Sequence, residues 1–356
     1  MTKTNISIIG TVGVPACYGG FESLVENLLD YTPENVQYTV FCTSKKYSEK
    51  IESYKGAKLV YLDLDANGMD SIMYDYKSMK MSLDADIMLI LGVSGCMFLP
   101  FIRKKFKGKI ITNIDGLEWK RDKWNPLAKW LLHYSEKQAV KYSDVVIGDN
   151  KGITDYVKET YKKDVVLIAY GGDHVTKVQD DLLYEKYPYM KNPYAVTVCR
   201  IEPENNVHKI IEAFSKMPEQ QLVIVGNWKN SEYGANLKEQ YSKFENIHLL
   251  DPIYESHEIN WIRSNASLYV HGHSAGGTNP SLVEAMNFGL PILAFDCVYN
   301  RATTQDECLY WSTEEDIIDL VNNSESKFAA VASKMKEIAS KEYAWEKIAK
   351  KYNELY

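Results

Sequence analysis

"HGHSAGGTNPSLVEAMNFGLPILAFD", residues 271–296, reads as one strand–loop–helix–strand unit. A strand ends at His271. A loop rich in Gly, Ser and Thr then leads to Pro280, a residue suited to the first turn of a helix because its missing N–H is not needed there. The helix stops at Gly289-Leu290-Pro291, and Ile292–Phe295 reads as the next strand. Free N–H groups of the loop and the helix start make an anion site. Glu284, about one turn into the helix, is placed to accept hydrogen bonds from hydroxyls of the same ligand; the competing reading is an exposed helical acid.

The same alternation extends in both directions. Tyr194–Cys199, Leu222–Val225, Ile247–Leu250 and Leu268–His271 are further strand candidates in this half. The first half offers Ile6–Gly10, Tyr38–Cys42, Leu59–Leu62, Ile87–Leu91, Ile110–Asn113, Val145–Gly148 and Val165–Ala169. Strands alternating with helical patterns imply parallel sheets covered on both faces. Between the halves, residues 173–194 are polar and proline-bearing, which suits a linker. The expectation is two α/β, doubly wound domains facing a cleft, with ligands at the carboxyl ends of the strands.

The first half has its own glycine-rich turn. In "IIGTVGVPACYGGFESLVENLL" (8–29), Phe21, Leu24, Val25, Leu28 and Leu29 recur at helical spacing after Gly19-Gly20. The spacing does not fit the dinucleotide fingerprint G-x-G-x-x-G, because Gly19-Gly20 arrive nine residues after Gly10. A Gly-Gly pair before a helix still lets a ligand approach the backbone, with the helix N–H groups facing an anion; otherwise it is a surface turn.

Composition narrows the class. The 356 residues are 45% hydrophobic and 25% charged, ordinary for a globular protein of about two domains. The net charge of −7 argues against a nucleic-acid partner. The chain begins on a strand pattern, so no secretory leader is expected, and no apolar run approaches the ~20 residues of a membrane span. Six scattered cysteines without C-x-x-C fit reduced thiols in a cytosol. Several motifs fail on inspection. "DLDANG" (63–68) starts like a calcium loop but has Tyr74 where a bidentate Glu is needed. "GVSGC" (92–96) has Cys96 where a nucleophile elbow needs Gly. Asp84 and Asp86 precede a strand, and His271 and His273 lack an evident third ligand, so no metal or cofactor is expected.

"CRIEPENNVHKIIEAF" (199–214), "VIVGNW" (223–228) and "GGTNPSLVEAMNFGLPI" (276–292) together resemble the donor-binding half of retaining, nucleotide-sugar-dependent glycosyltransferases of the GT-B fold, in the large family numbered four. "YAWEKIAKKYNELY" (343–356) resembles that family's last helix, which returns to the first domain. "GTVGVPACYGGFESLVENL" and "NIDGLEWKRDKW" (113–124) resemble a narrower subgroup, bacterial rhamnosyltransferases of capsule and cell-wall polysaccharide synthesis. The resemblance covers nearly the whole chain. It implies an acceptor-binding domain over 1–180, a nucleotide-sugar domain over 181–338 and a returning helix over 339–356.

It also implies roles. Gly19 and Gly20 would lie near the donor diphosphate and transferred sugar. Arg200 matches the pyrophosphate Arg, whose guanidinium can hold two phosphate oxygens. Asn205 stands where the family usually has Lys, a departure that the rhamnosyltransferase subgroup shares. Gly226 lies near the expected nucleotide. Glu284 matches the second Glu of the E-x₇-E motif, which binds the ribose. The first Glu is replaced by Gly276, which argues against carrying over the usual hexose specificity. Gly277, Thr278, Asn279 and Ser281 border the donor, with amide or hydroxyl contacts available. Asp115 stands where many members have a His facing the transferred sugar. A carboxylate there can take the acceptor proton or steady an oxocarbenium-like transition state; its alternative role is a cap or Asx-turn before Gly116. Glu118 is a second candidate.

The acceptor side is marked by charge. "FIRKKFKGK" (101–109) has five basic residues in nine, among them Arg103, Lys104, Lys105 and Lys107. "EWKRDKWNPLAKWLLHYSEK" (118–137) mixes Trp119, Trp124 and Trp130 with Lys120, Arg121 and further lysines. Lys and Arg suit anionic headgroups and Trp suits the interface, so these residues are expected to meet the inner face of the cytoplasmic membrane. A solvated basic helix with buried tryptophans is the alternative. The reading is a peripheral, metal-independent transferase moving L-rhamnose from dTDP-β-L-rhamnose to a lipid-linked sugar. Its rivals are another donor such as UDP-glucose or UDP-galactose, a GT-B sugar-nucleotide epimerase, and a non-catalytic sugar-nucleotide-binding module.

Overall fold

The computed structural model describes residues 3–17, 19–120 and 124–356. The chain forms two compact units, Met1–Tyr170 with Trp345–Tyr356, and Gly171–Ala344.

The first unit is built on β1 (Thr4–Ile9), β2 (Val36–Thr43), β3 (Ser53–Tyr54), β4 (Ala57–Leu62), β5 (Ile87–Leu91), β6 (Lys109–Asn113), β7 (Val145–Gly148) and β8 (Val166–Leu167). They form one sheet in the order β3-β4-β2-β1-β5-β6-β7-β8. Every pairing is parallel except the β3–β4 hairpin. Ile6 sits opposite Tyr38 on one side and Ile87 on the other. The strand "IMLIL" of β5 is buried at every position, as a parallel strand covered on both faces must be. The C-terminal helix Trp345–Asn353 closes this core. Trp345, Ile348, Ala349 and Tyr352, at i, i+3, i+4 and i+7, are buried among Ile6, Tyr38 and Leu89.

The second unit carries β9 (Tyr194–Val198), β10 (Gln221–Val225), β11 (Ile247–Leu250), β12 (Leu268–His271), β13 (Ile292–Phe295) and β14 (Leu309–Trp311), in the order β11-β10-β9-β12-β13-β14 and wholly parallel. Val207, Ile210, Ile211 and Phe214 of the following helix pack under Leu222, Ile224 and Val270.

Two short strands, β3 and β14, are additions to the sequence pattern, and β8 is shorter than expected. The change of unit falls at Tyr170–Gly171 rather than near residue 180. The reason is packing: the Gly172 N–H bonds to the Tyr343 carbonyl at 2.8 Å, the Val178 N–H to Ser264 at 3.2 Å, and the rings of Tyr184 and Tyr187 lie against Trp261. The supposed linker is therefore part of the second unit, as is the helix Glu325–Glu342 up to Ala344.

Strand order reverses between β1 and β5 in the first unit and between β9 and β12 in the second. These are the switch points at which open α/β sheets bind ligands. Both are pinched in the same way. A Cβ on Gly10, after β1, would lie 2.0 Å from the Leu91 carbonyl oxygen at the end of β5. A Cβ on Gly272, after β12, would lie 2.0 Å from the Asn205 carbonyl oxygen. Only glycine permits such an approach.

Candidate functional site

At the second switch point the loops after β9 and β12 are laced together. The Asn205 side chain, 3% exposed, donates from Nδ2 to the Arg200 carbonyl at 2.7 Å and meets His273 Nδ1 through Oδ1 at 2.8 Å. Asn206, in the left-handed region at φ 48, donates to the Gly272 carbonyl at 2.9 Å. The Ser274 N–H and hydroxyl both bond the Glu204 carbonyl. Asn205 thus spends its amide on holding these loops. Arg200 leads from β9 with its side chain half-exposed and 3.7 Å from Glu202. Gly226, after β10, makes room for the same loop: a Cβ there would lie 2.5 Å from the Cys199 carbonyl oxygen.

The loop after β12 runs into the helix Pro280–Phe288. Gly277 and Thr278 are buried, and the Asn279 side chain caps the helix by accepting from the Ser281 N–H at 3.0 Å. Gly289 ends it at φ 71. Gly276 has φ +128, and a Cβ there would lie 2.9 Å from His273 Nε2. A side chain at 276 is strained by this backbone and would press on the His273 ring.

Glu284 is not an exposed helical acid. Its carboxylate meets Arg263 Nη1 at 2.6 Å through Oε2 and His174 Nε2 at 3.3 Å through Oε1. The Arg263 and Glu284 side chains are only 11% and 12% exposed. Burial alone would raise the Glu284 carboxyl, but Arg263 and His174 outweigh it and hold the group below its usual range. Glu284 is therefore an ionised acceptor inside a largely dry site. The Tyr269 hydroxyl donates to the Val198 carbonyl at 3.5 Å. Burial pushes the His271 imidazole well below its usual range, with His273 adding to the effect, so His271 is neutral. No group of three or more His, Cys, Asp or Glu among the described residues is arranged to hold a metal ion.

In the first unit the turn after β1 is organised by Glu22, 4% exposed. Its Oε1 accepts from the Thr11 hydroxyl at 2.8 Å and the Val12 N–H at 2.7 Å, and its Oε2 accepts from the Gly19 N–H at 2.8 Å. The Gly19 N–H, expected to face an outside anion, is taken by a carboxylate of the chain itself. Gly20 begins the helix Gly20–Asp30.

Asp115 follows β6 in the left-handed region at φ 50, and is part-buried. Its N–H donates to Asn113 Oδ1 at 3.0 Å, an Asx-turn made by the Asn113 side chain rather than by Asp115. Its carboxylate is left to other groups, and the Tyr170 hydroxyl donates to Oδ1 at 3.3 Å.

The basic stretch divides. Arg103 is tied to the Gly108 carbonyl and to Asp144. Lys104 lies over the Phe101 ring, and Lys105 and Lys107 are exposed. Trp119 donates its indole N–H to Glu136 at 3.0 Å and packs tilted, at 35°, against the His133 ring, with Lys120 over its own ring. The Trp124 indole nitrogen is buried. Arg121 lies outside the described residues. Trp119 and Trp124 are both part-buried. More exposed apolar side chains lie on the helix Pro126–Tyr142, where Leu127, Trp130 and Tyr134, at i, i+3 and i+7, are 67%, 63% and 41% exposed, with Phe101 at 62% on the helix packed beside it.

Residues 181–326, which contain β9 to β14 with Arg200, Arg263 and Glu284 but not His174, match the family model described as "Glycosyl transferases group 1". The second unit carries a glycosyltransferase group 1 domain. Residues 3–173 match a model described as "Domain of unknown function (DUF1972)", and no curated protein matches the chain. Among solved structures, sucrose-phosphate synthase from Thermosynechococcus elongatus is 15% identical with a TM-score of 0.82, over 99% of this chain and 98% of that one. HepE from Anabaena, solved in complex with UDP-glucose, is 13% identical with a TM-score of 0.76, over 99% and 98%. An enzyme from Listeria monocytogenes described as a UDP-N-acetylglucosamine 2-epimerase is 16% identical with a TM-score of 0.64, over 99% and 95%. At these identities the likeness is one of fold, and the two parallel-sheet units are those of the GT-B architecture.

The sequence pattern led to the transferase domain's helix and to Glu284, but not to its partners. Arg263 closes the preceding helix and His174 lies in the stretch taken for a linker; neither stands in a recognisable motif.

Proposed function

We propose that the chain is a retaining, metal-independent glycosyltransferase that moves L-rhamnose from dTDP-β-L-rhamnose to a sugar on a polyprenyl diphosphate at the inner face of the cytoplasmic membrane. The observation that carries the transferase reading is the buried, ionised Glu284 one turn inside the helix Pro280–Phe288, beside the strand-order reversal of the glycosyltransferase group 1 domain. Rhamnose rests on the resemblance of residues 10–28 and 113–124. Gly276 supports it, since the acid that normally contacts the hydroxyls of other hexose donors is missing there and this backbone disfavours one. UDP-glucose is the second reading, favoured by the HepE complex. A panel of nucleotide-sugar donors with a lipid-linked sugar acceptor, read by mass spectrometry, decides between them. Transfer of a 6-deoxyhexose supports the first. Conversion of the donor without acceptor points to an epimerase, and binding without turnover to a non-catalytic module.

Arg200 is read as the pyrophosphate ligand, half-exposed and free to reach beyond Glu202. Arg200→Ala should weaken nucleoside-diphosphate binding by about 1.5–3 kcal/mol, the range for hydrogen bonds to charged groups. Calorimetry measures this; an unchanged affinity removes Arg200 from the site.

Membrane docking is assigned to the exposed face of Phe101, Leu127, Trp130 and Tyr134 with Lys104, Lys105 and Lys107. Near an anionic surface each lysine contributes about 1 kcal/mol, so neutralising all three should cost up to ~3 kcal/mol of salt-sensitive binding. Trp130→Ala should weaken binding with little salt dependence, since its contribution is apolar burial. Co-sedimentation with phosphatidylglycerol vesicles at low and high salt tests both. Wild-type protein that stays in the supernatant at low salt defeats the proposal.

A further inference from the structure

Asp115 sits at the end of a hydrogen-bond chain that runs to the C-terminal helix. Asn113, 1% exposed at the end of β6, uses both ends of its amide: Oδ1 accepts the Asp115 N–H at 3.0 Å, and Nδ2 donates to the Tyr352 hydroxyl at 2.9 Å. Tyr352 is wholly buried on the helix Trp345–Asn353. A second contact reaches the carboxylate itself, from the Tyr170 hydroxyl to Oδ1 at 3.3 Å. Tyr170 is also buried, and burial, then the charges of Asp115 and Asp149, push its phenol well above the usual range. It stays protonated and donates at any physiological pH. The two tyrosines lie close to the two points at which the chain changes unit. Tyr170 is the last residue of the first unit before Gly171, and Tyr352 lies two turns beyond the return at Trp345.

Backbone constraint adds to this. At φ 50 Asp115 occupies a region that Asp and Asn tolerate but do not prefer. The Asn113 amide holds that conformation, and Tyr352 holds the amide. Loss of the Tyr352 hydroxyl leaves a buried amide N–H without its acceptor and frees the ring of contacts that aim the carboxylate.

We propose that Tyr352 and Tyr170 are positioning residues for Asp115: Tyr352 fixes its backbone through Asn113, and Tyr170 fixes its carboxylate directly. The inference rests on Asp115 acting on the transferred sugar or acceptor. It adds that the C-terminal helix serves the chemistry as well as the core.

The test uses Tyr352→Phe and Tyr170→Phe in the full chain, with Tyr38→Phe as control. Tyr38 is a buried phenol of the same core whose hydroxyl meets Tyr356 at 3.2 Å and takes no part in the Asp115 contacts. Amide hydrogen exchange needs no substrate. Tyr352→Phe should speed exchange at the Asp115 amide by about tenfold while Ile110 to Thr112 of β6 keep their protection. With dTDP-L-rhamnose and a polyprenyl-diphosphate-linked glucose as probes, both variants should lower kcat by about tenfold, with donor KM unchanged, because misplacement of a reacting group costs rate and not ground-state binding. Tyr38→Phe should leave kcat unchanged. Combined with Asp115→Asn, either variant should add little, since it acts through the same group. Unaltered Asp115 exchange in Tyr352→Phe overturns the proposal without reference to activity. Wild-type kcat in both tyrosine variants, with Asp115→Asn impaired, also overturns it. Wild-type turnover in Asp115→Asn would instead remove the catalytic reading of Asp115 on which the proposal stands.

Discussion

Asp115→Asn should lower sugar transfer by about 10²-fold or more, as for loss of a positioned proton acceptor, while nucleoside-diphosphate affinity stays near the wild-type value. Asn is the informative replacement. It tolerates the left-handed backbone at φ 50, leaves the Asp115 N–H free to bond Asn113, and can still accept from Tyr170. Only the charge and the capacity to take a proton are removed. Initial rates with the active donor, set beside calorimetry with the nucleoside diphosphate, measure the two effects separately. A variant that turns over at the wild-type rate removes the Asp115 carboxylate from the chemistry.

Arg263→Met should destabilise the second unit by about 3–5 kcal/mol, the cost of removing one partner from a buried ion pair. The loss comes less from the attraction forgone than from leaving the Glu284 carboxylate buried beside His174 alone. Adding Glu284→Gln should therefore recover part of the stability, although it removes a charge rather than restoring one. Urea unfolding read from the tryptophans buried in this unit, Trp228, Trp261 and Trp311, follows both variants. A single variant within ~0.5 kcal/mol of wild type, the range of ordinary surface changes, would show that the pair is not structural. The pH dependence has a defined sign. Glu284 is held below its ordinary value of 4.5 in the folded chain, so its contribution is fully present above that value and is lost as pH falls through the lowered one. Without Arg263, burial is opposed by His174 only, and the acid-side loss should begin at higher pH.

Much of the architecture was legible because parallel strands buried on both faces are nearly continuous apolar runs. The strand Ile87–Leu91 could be read from composition alone, and it fell where expected. The hairpin strand Ser53–Tyr54 could not, since two residues carry no periodicity. The boundary at Tyr170 was hidden for another reason: polar, proline-bearing sequence looks the same whether it hangs free or lies hydrogen-bonded along a domain, as 171–193 does. At the site, Glu284 was found because it stands at a fixed distance from a loop and a helix start. Arg263 was not, because its approach to Glu284 depends on how one helix packs beside another. Gly276 was visible as a missing acid, but the reason for it lies in the left-hand side of backbone space and in the ring of His273, neither of which a sequence displays.

The backbone at Gly276 also bears on how the donor range of this enzyme can be altered by protein engineering. A Gly276→Glu exchange, the single-codon route back to the more widespread motif, places a side chain where φ is +128 and His273 Nε2 stands 2.9 Å from the new Cβ. The change should strain the loop and displace the His273 ring, at a cost of about 1–3 kcal/mol for a residue held in a sparsely populated backbone region. His273 is itself held by Asn205, so the obstacle extends into the preceding strand's loop. A graft that widens specificity must transplant residues 272–278 together with the 204–206 segment as one cassette. A library that randomises position 276 alone should yield only the parental glycine.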